Sequence, residues 1–321
     1  MPGAIGDKEG PMRAAIRYAG LVAAVAAVGC GGPEGGAPAA SAPASLGAQS
    51  GNGPAQPPGD PPMLGIHWAR GQARTTSSPD MTWHGGDVLP TTAVEAIYWG
   101  TSWSSTTFVG DKISGLDAFY AGIGGSSYAG TNTEYTGANG QVTTAVSYLG
   151  HVVDTSAGPN HAPRTSTILN EVCARIPSPV ANGYYPVYVD TPRGHAGYCA
   201  WHSYGTCSGV PVQFGFFFAL DGDPGCDPQD TSGLHSQGLA ALANVSGHEA
   251  SETVTDPRNG GWYDSSGAEN ADKCAWTFGA PLLTFSNGTQ WKIQGNWSNH
   301  AYDTNTGYPN SSGQDGCLSG L

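Results

Sequence analysis

Residues 230–257, DTSGLHSQGLAALANVSGHEASETVTDP, combine an apolar helical pattern with a cluster of ionisable side chains. Leu239, Leu242 and Val245 recur at helical spacing, which predicts a helix that runs into the cluster. Pro257 disfavours helical conformation at the residue before it, so the helix is predicted to end there. This helix follows several strand-like segments, and the resulting order is that of an α/β protein.

The chain upstream of this helix alternates between strand and helix patterns. Apolar, β-branched and aromatic runs typical of strands occupy residues 91–100, 141–154, 183–191 and 210–220. The second run fits either one strand or a hairpin, and the last is aromatic enough to be a central strand. Apolar stripes at helical spacing predict two helices, at residues 109–123 and 166–176.

Composition sets the limits of the folded domain. The 321 residues include 49 glycines and 24 prolines, and much of that excess lies before residue 66. Such a segment has few side chains to bury, so residues 31–65 are predicted to be a disordered linker. Residues 66–321 are predicted to form one domain with a well-buried core and a loop-rich part after Pro257.

The net charge restricts the class of partner. The chain has 12 Lys and Arg residues against 25 Asp and Glu residues, a formal net charge of −13. An acidic protein repels nucleic-acid phosphates and anionic lipid surfaces. We therefore expect no nucleic-acid partner, and we expect a protein, a peptide or a polysaccharide as substrate. No feature of the sequence indicates an oligomeric state.

The N-terminal residues 1–30 have the pattern of an export signal. Arg13 and Arg17 precede a short apolar run that ends in small residues and Cys30. This pattern resembles a bacterial lipoprotein signal, with Met12 as the true start and a lipid anchor on Cys30 as the only membrane contact. A plain cleaved signal is the alternative. Either one predicts export, to the bacterial cell envelope or to the extracellular space.

Six cysteines remain when Cys30 is set aside: Cys173, Cys199, Cys207, Cys226, Cys274 and Cys317. An even number in an exported chain predicts up to three disulfides. Cys199 and Cys207 are close enough in sequence to pair locally. A structural zinc cluster is the alternative, but the sequence has no Cys-x-x-Cys pair, and disulfides are therefore favoured.

The ionisable cluster has the spacing of a metal-binding helix. His248 and Glu252 are four residues apart and would lie on one face of a helix, where both side chains can bind one ion. Glu249 would stand beside the ion and take a proton from bound water, as in HExxH motifs. We predict zinc, although a glutamate in place of the second histidine favours harder ions.

A third ligand must come from elsewhere in the chain. The turn after Pro257 can return an acidic segment to the helix, and Glu269 and Asp272 are the favoured candidates. Weaker candidates are Asp256, Asp264 and His202. A local disulfide between Cys199 and Cys207 would fix the loop of His202.

Three other interpretations compete with the metal-binding helix. Acids and a histidine at this spacing also occur on ordinary solvated helices. Residues 264–272, DSSGAENAD, offer oxygen ligands to calcium, but their spacing departs from the EF-hand pattern. Four late tryptophans can stack on sugar rings or pack in the core. They are Trp262, Trp276, Trp291 and Trp297.

The chain resembles the phosphate-induced protein or EXORDIUM-like family of secreted proteins over residues 81–276. The motifs that carry the resemblance are MTWHGGDVLPTTAVEAIYWG, YPVYVDT, GYCAWHSYGTC, GDPGC and TVTDPRNGGWYD. Plant members of this family resemble apoplastic proteins tied to growth and keep the Thr-x-Pro core without the His-Glu pair. The microbial branch is similar to this chain in keeping His-Glu ahead of TVTDP and an acidic run before Cys274.

Together these patterns predict a single α/β domain that resembles a zincin-like metallopeptidase core. It would have a mixed sheet, a helix bearing an HExxE motif, and stabilising disulfides. The predicted function is metal-dependent hydrolysis, most simply of peptides, with Glu249 as general base. The alternative is a non-catalytic envelope protein that binds polysaccharide through exposed aromatics, with the acidic cluster structural or bound to calcium.

Overall fold

Strands with aromatic and β-branched residues alternate with helices through most of the chain. A computed structural model describes residues 54, 56–72 and 79–321, which belong to one compact unit, Ser45–Leu321. The predicted export signal, the anchor on Cys30 and most of the predicted linker lie outside the described residues. No helix of the described part has the length and apolarity to cross a membrane.

In chain order, the strands are β1 (Leu64–Trp68), β2 (Thr82–Trp83), β3 (Thr92–Trp99), β4 (Thr136–Gly137), β5 (Gly140–Gln141), β6 (Val146–Asp154), β7 (Gly183–Pro192), β8 (Tyr198–Cys207), β9 (Val210–Ala219), β10 (Trp262–Tyr263), β11 (Leu283–Thr284), β12 (Gln290–Trp291), β13 (Asn296–Trp297) and β14 (Cys317–Leu318). The α-helices are α1 (Thr106–Val109), α2 (Lys112–Ile123), α3 (Ser127–Gly130), α4 (Thr165–Arg175), α5 (Gln237–Thr255) and α6 (Asn299–Thr304). Two 3₁₀ turns span Thr101–Ser104 and Asp272–Cys274.

Six of the strands form one mixed sheet in the order β1-β8-β9-β7-β3-β6. Strand β3 is parallel to β6 and β7, and β7 is parallel to β9. Strand β8 is antiparallel to both β9 and β1. The predicted mixed α/β class is therefore correct, and the aromatic strand β9 is central as expected. The run at 141–154 contributes the single strand β6 to this sheet, with only Gln141 in a separate short pair.

The long helix α5 packs against β1, β8 and β9 on the sheet and against α2. The side chain of Ser236 caps its start by accepting the N–H of Leu239. It ends at Thr255, and Asp256 leaves the helical conformation before Pro257, as predicted. Almost every residue of α5 is buried, so this helix lies inside the protein.

The first strand begins earlier than the predicted domain boundary at residue 66. Strand β1 starts at Leu64, which is buried together with Met63. Gln56 and Asp60, from the predicted linker, reach the start of α4 through hydrogen bonds to Thr165 and Ser166. The last part of the Gly/Pro-rich segment is therefore packed onto the domain.

Three disulfides join the six cysteines of the domain: Cys173–Cys207, Cys199–Cys226 and Cys274–Cys317. The number is the predicted one, but the local pairing of Cys199 with Cys207 is wrong. Both cysteines lie at opposite ends of the extended strand β8, so each pairs with a different neighbouring segment. Three disulfides indicate an oxidising environment, which agrees with an exported protein.

Candidate metal centre

The motif residues of α5 lie between the helix and the sheet. His248, Glu249 and Glu252 each have 0% of their surface exposed. The interpretation of this stretch as a solvated helix face is therefore wrong. Ionisable groups enter a protein interior only when paired, ligated or neutralised, so their partners decide what the site can do.

The first group of converging side chains is made of His248, Glu252 and Asp272. Nε2 of His248 lies 3.1 Å from Oε2 of Glu252 and 3.6 Å from Oδ1 of Asp272. Nε2 of His248 and Oε2 of Glu252 thus form an ion pair with each other, and neither atom has a hydrogen bond of ordinary geometry in the described part of the chain. Asp272 follows the turn predicted to bring it back, and its backbone N–H donates to Oε1 of Glu252.

The second group is made of His202, Glu252 and Glu269, whose ligand atoms lie within 4.8 Å of one another. Nε2 of His202 is 3.2 and 3.3 Å from the two carboxylate oxygens of Glu269. All three residues are buried. His202 was a weaker candidate in the sequence, and it lies on strand β8 and not in a disulfide-closed loop.

Two of the weaker candidates lie outside both groups. Oδ1 of Asp256 accepts the N–H groups of Gly260 and Gly261 and so holds the turn after the helix. Asp264 forms a buried ion pair with Lys273, at 3.2 Å. These carboxylates therefore stabilise the return of the chain to α5, and they do not join the ligand groups.

Strand β1 runs beside the two groups, and the residue next to their donor atoms is Gly65, which has no side chain. A Cβ placed on this residue would lie 2.1 Å from Oε2 of Glu252 and 2.5 Å from Nε2 of His202. Gly65 also has a positive φ of 45°, which favours glycine. The absence of a side chain there leaves room around the converging donor atoms.

Burial makes the carboxylates of this site hard to ionise. Burial and the nearby Asp272 raise the pKa of Glu252 to about 7. Burial also raises the pKa of Glu249 and Glu269 well above the ordinary range. No Lys or Arg pairs with these three glutamates among the ion pairs of the described residues. A bound cation would supply the missing positive charge.

The two histidines of the groups respond differently to this environment. Burial lowers the pKa of His248, but the Glu252 and Asp272 carboxylates outweigh it and raise that pKa well above its usual value. Burial and the neighbouring His248 lower the pKa of His202 to about 3. His202 is therefore a neutral imidazole, which is the form that ligates metals.

Gln294 fixes the other side of the His248 ring. Its amide nitrogen donates to the carbonyl of Ala271 at 2.8 Å and lies 3.0 Å from Nδ1 of His248. Its amide oxygen accepts the N–H of Trp276. Because this amide nitrogen is a donor, Nδ1 of a neutral His248 must be the acceptor, and the ring proton is then on Nε2. Metal ligation through Nε2 therefore requires the proton to move to Nδ1 and the Gln294 amide to turn.

His67 is a buried residue of this region that the sequence analysis missed. Its ring stacks on His248 on one side and on Trp276 on the other. The guanidinium of Arg70 lies 4.4 Å from the centre of the Trp276 ring. Trp276 adopts a positive φ of 60°, an uncommon conformation for a bulky residue. The guanidinium of Arg70 and the rings of Trp276, His67 and His248 thus form a continuous stack that begins at the partly exposed Arg70.

The chain matches no protein-family model, no curated protein and no solved structure. The resemblance to the EXORDIUM-like family therefore stays a prediction. The described residues define a disulfide-bonded mixed α/β domain. Its central helix contributes His248 and Glu252 to two overlapping groups of histidine and carboxylate side chains.

Proposed function

We propose that this protein is an exported metal-dependent hydrolase, with peptides as the favoured substrate class. The observation that carries the proposal is the convergence of His248, Glu252 and Asp272, whose ligand atoms lie within 4.8 Å of one another. Nε2 of His248 and Oε2 of Glu252 are 3.1 Å apart, an ion-pair contact without ordinary hydrogen-bond geometry. Atoms bound to one zinc ion at about 2.0–2.2 Å have a similar separation, which supports a cation between them.

The donor set of the first group fits a divalent metal ion. One imidazole and two carboxylates, from His248, Glu252 and Asp272, form a set suited to zinc and also to harder ions such as manganese. The helix on a mixed sheet is the arrangement expected of a zincin-like core. Calcium is the less favoured ion, because it takes 6–8 oxygen ligands and rarely nitrogen.

The carboxylate of Glu249 is the candidate general base. It is buried, belongs to neither ligand group, and neither of its oxygens forms a hydrogen bond of ordinary geometry in the described part of the chain. A divalent ion held by His248, Glu252 and Asp272 would supply Lewis-acid activation of a substrate carbonyl and of a water molecule. In its ionised form, Glu249 would accept the proton of that water and deliver it to the leaving amine.

Substrate would approach from the side of Asp272 and Trp276. Asp272 is the one partly exposed member of the ligand groups, with 17% of its side chain accessible. Trp276 is also partly exposed, four residues further along the same segment. The remaining ligands are enclosed by α5, β1 and β8, which favours entry from this loop.

The test is the metal content of the full chain after loading with zinc and dialysis. We expect at least one bound ion in the wild type and loss of ion in His248→Ala. The matched control is His300→Ala, at an exposed histidine on α6. A wild-type protein that holds no transition metal and does not cleave peptides contradicts the proposal. Melting that is sensitive to a chelator without bound zinc would instead indicate calcium.

The alternative of polysaccharide binding has lost part of its support. Trp291 and Trp297 have 1% and 0% exposure, so neither can present a face to a sugar ring. Trp83, which is 46% exposed, pairs with the partly exposed Trp262 across β2 and β10, and the two offer an aromatic surface. Retention on insoluble glycan that is lost in Trp83→Ala would favour this second function.

A further inference from the structure

We propose that the site holds two divalent cations, with Glu252 bridging them. The inference rests on the proposed metal centre and adds a second cation subsite to it. The first cation would lie at His248, Glu252 and Asp272. The second would lie at His202, Glu252 and Glu269.

The second subsite adds two donor residues to the shared Glu252. His202, Glu252 and Glu269 come from β8, α5 and the loop after β10, and each is fully buried. Nε2 of His202 faces both carboxylate oxygens of Glu269. These three residues bring one imidazole and two carboxylates within 4.8 Å of one another.

Glu252 is placed to act as the bridge. Its Oε1 accepts the N–H of Asp272 at 2.8 Å, which fixes the orientation of the carboxylate. Its Oε2 lies 3.1 Å from Nε2 of His248, in an ion pair without ordinary hydrogen-bond geometry. The same residue is within ligand range of His202 and Glu269. Metal pairs in hydrolases are about 3.5–4 Å apart, a separation that one carboxylate can span.

Gly65 keeps the second subsite open. A Cβ at this position would fall among the donor atoms, 2.1 Å from Oε2 of Glu252 and 2.5 Å from Nε2 of His202. Glycine inside a strand weakens it and often marks a close approach of a ligand. The bare backbone of β1 therefore lets the donor atoms of Glu252 and His202 converge, which the proposed second cation requires.

The test is the stoichiometry and magnetic state of the full chain loaded with manganese, measured by native mass spectrometry and electron paramagnetic resonance. We expect two ions per chain and a spin-coupled spectrum in the wild type. His202→Ala and Glu269→Gln should each retain one ion and show an uncoupled spectrum. The control His300→Ala should keep two. If one of the variants His202→Ala and Glu269→Gln does not fold, the ion count of the other is sufficient for the test.

The outcomes separate this inference from the proposed function. One ion in the wild type, unchanged in His202→Ala and lost in His248→Ala, overturns the second subsite and leaves the first intact. No bound ion in the wild type overturns both. Two ions without spin coupling would overturn the bridge through Glu252.

Discussion

The imidazole of His67 lies flat against that of His248, with ring centroids 4.1 Å apart and ring planes 5° apart. His67 is fully buried, and neither ring nitrogen forms a hydrogen bond of ordinary geometry in the described part of the chain. Burial and the nearby His248 lower its pKa well below the usual value, so the ring is neutral. It forms a flat support against the His248 ring.

His67→Ala is expected to weaken metal binding by roughly 10-fold to 100-fold, the usual cost of losing an outer support of a ligand. The variant His67→Phe keeps a flat ring against His248, so its metal affinity should be closer to that of the wild type. Competition with a coloured chelator measures the affinity. Equal affinities for the alanine variant, the phenylalanine variant and the wild type would show that the stack does not orient His248.

Glu249→Gln is expected to slow peptide hydrolysis by about 10²–10⁴-fold while the ion stays bound, because the amide cannot accept the proton. Cleavage of a casein-type substrate gives the rate, and metal analysis of the same sample gives the occupancy. Glu95→Gln, on strand β3 of the sheet, is the matched control. Wild-type activity in Glu249→Gln would remove this residue from the mechanism.

Removal of the Cys274–Cys317 disulfide is expected to lower the free energy of unfolding by about 2–5 kcal/mol. This bridge ties down the segment that follows Asp272 and Lys273. We therefore expect the Cys274→Ser/Cys317→Ser variant to lose bound metal more readily than a Cys173→Ser/Cys207→Ser variant. Denaturant titration and metal retention on dialysis are the two measurements. Equal retention in the two variants would contradict the expectation.

Stability should also depend on pH through Glu171, which lies on α4 and belongs to neither candidate ligand group. Burial and the hydrogen-bonded Asp154 raise the pKa of Glu171 to about 7, although Arg175 lies 3.1 Å away. The folded chain therefore holds this proton more tightly than the unfolded chain, whose ordinary value is 4.5. The contribution of this group to stability is complete below pH 4.5 and is lost as the pH rises through about 7.

The variant Glu171→Gln lacks this titration. The melting temperature of the variant minus that of the wild type should therefore rise as the pH increases from 5 to 8, because only the wild type loses this contribution. Thermal unfolding at both pH values, with the exposed Asp303→Asn as control, measures the difference. A relative melting temperature that stays constant or falls over this range would contradict the assignment.

The three longest helices, α2, α4 and α5, and the central strands β3, β7 and β9 were predictable because their patterns are local. The stripe of Leu239, Leu242 and Val245 and the break at Pro257 are enough to define α5. The strands β1 and β8 were missed, because β8 looked like a disulfide-closed loop and β1 adjoins the Gly/Pro-rich segment. These two strands carry His67 and His202, so the histidines were missed or ranked low together with them.

The amino-acid sequence by itself determined the α/β class, the number of disulfides, and the spacing that turns His248 and Glu252 to one side of a helix. Only the tertiary structure decided that this side faces the interior, that Glu252 is shared by two donor groups, and that Gly65 leaves space beside it. The physical reason is that helical spacing depends on neighbours in the chain. Burial, charge balance and cysteine pairing depend on strands and loops that are far apart in sequence and meet only in the folded protein.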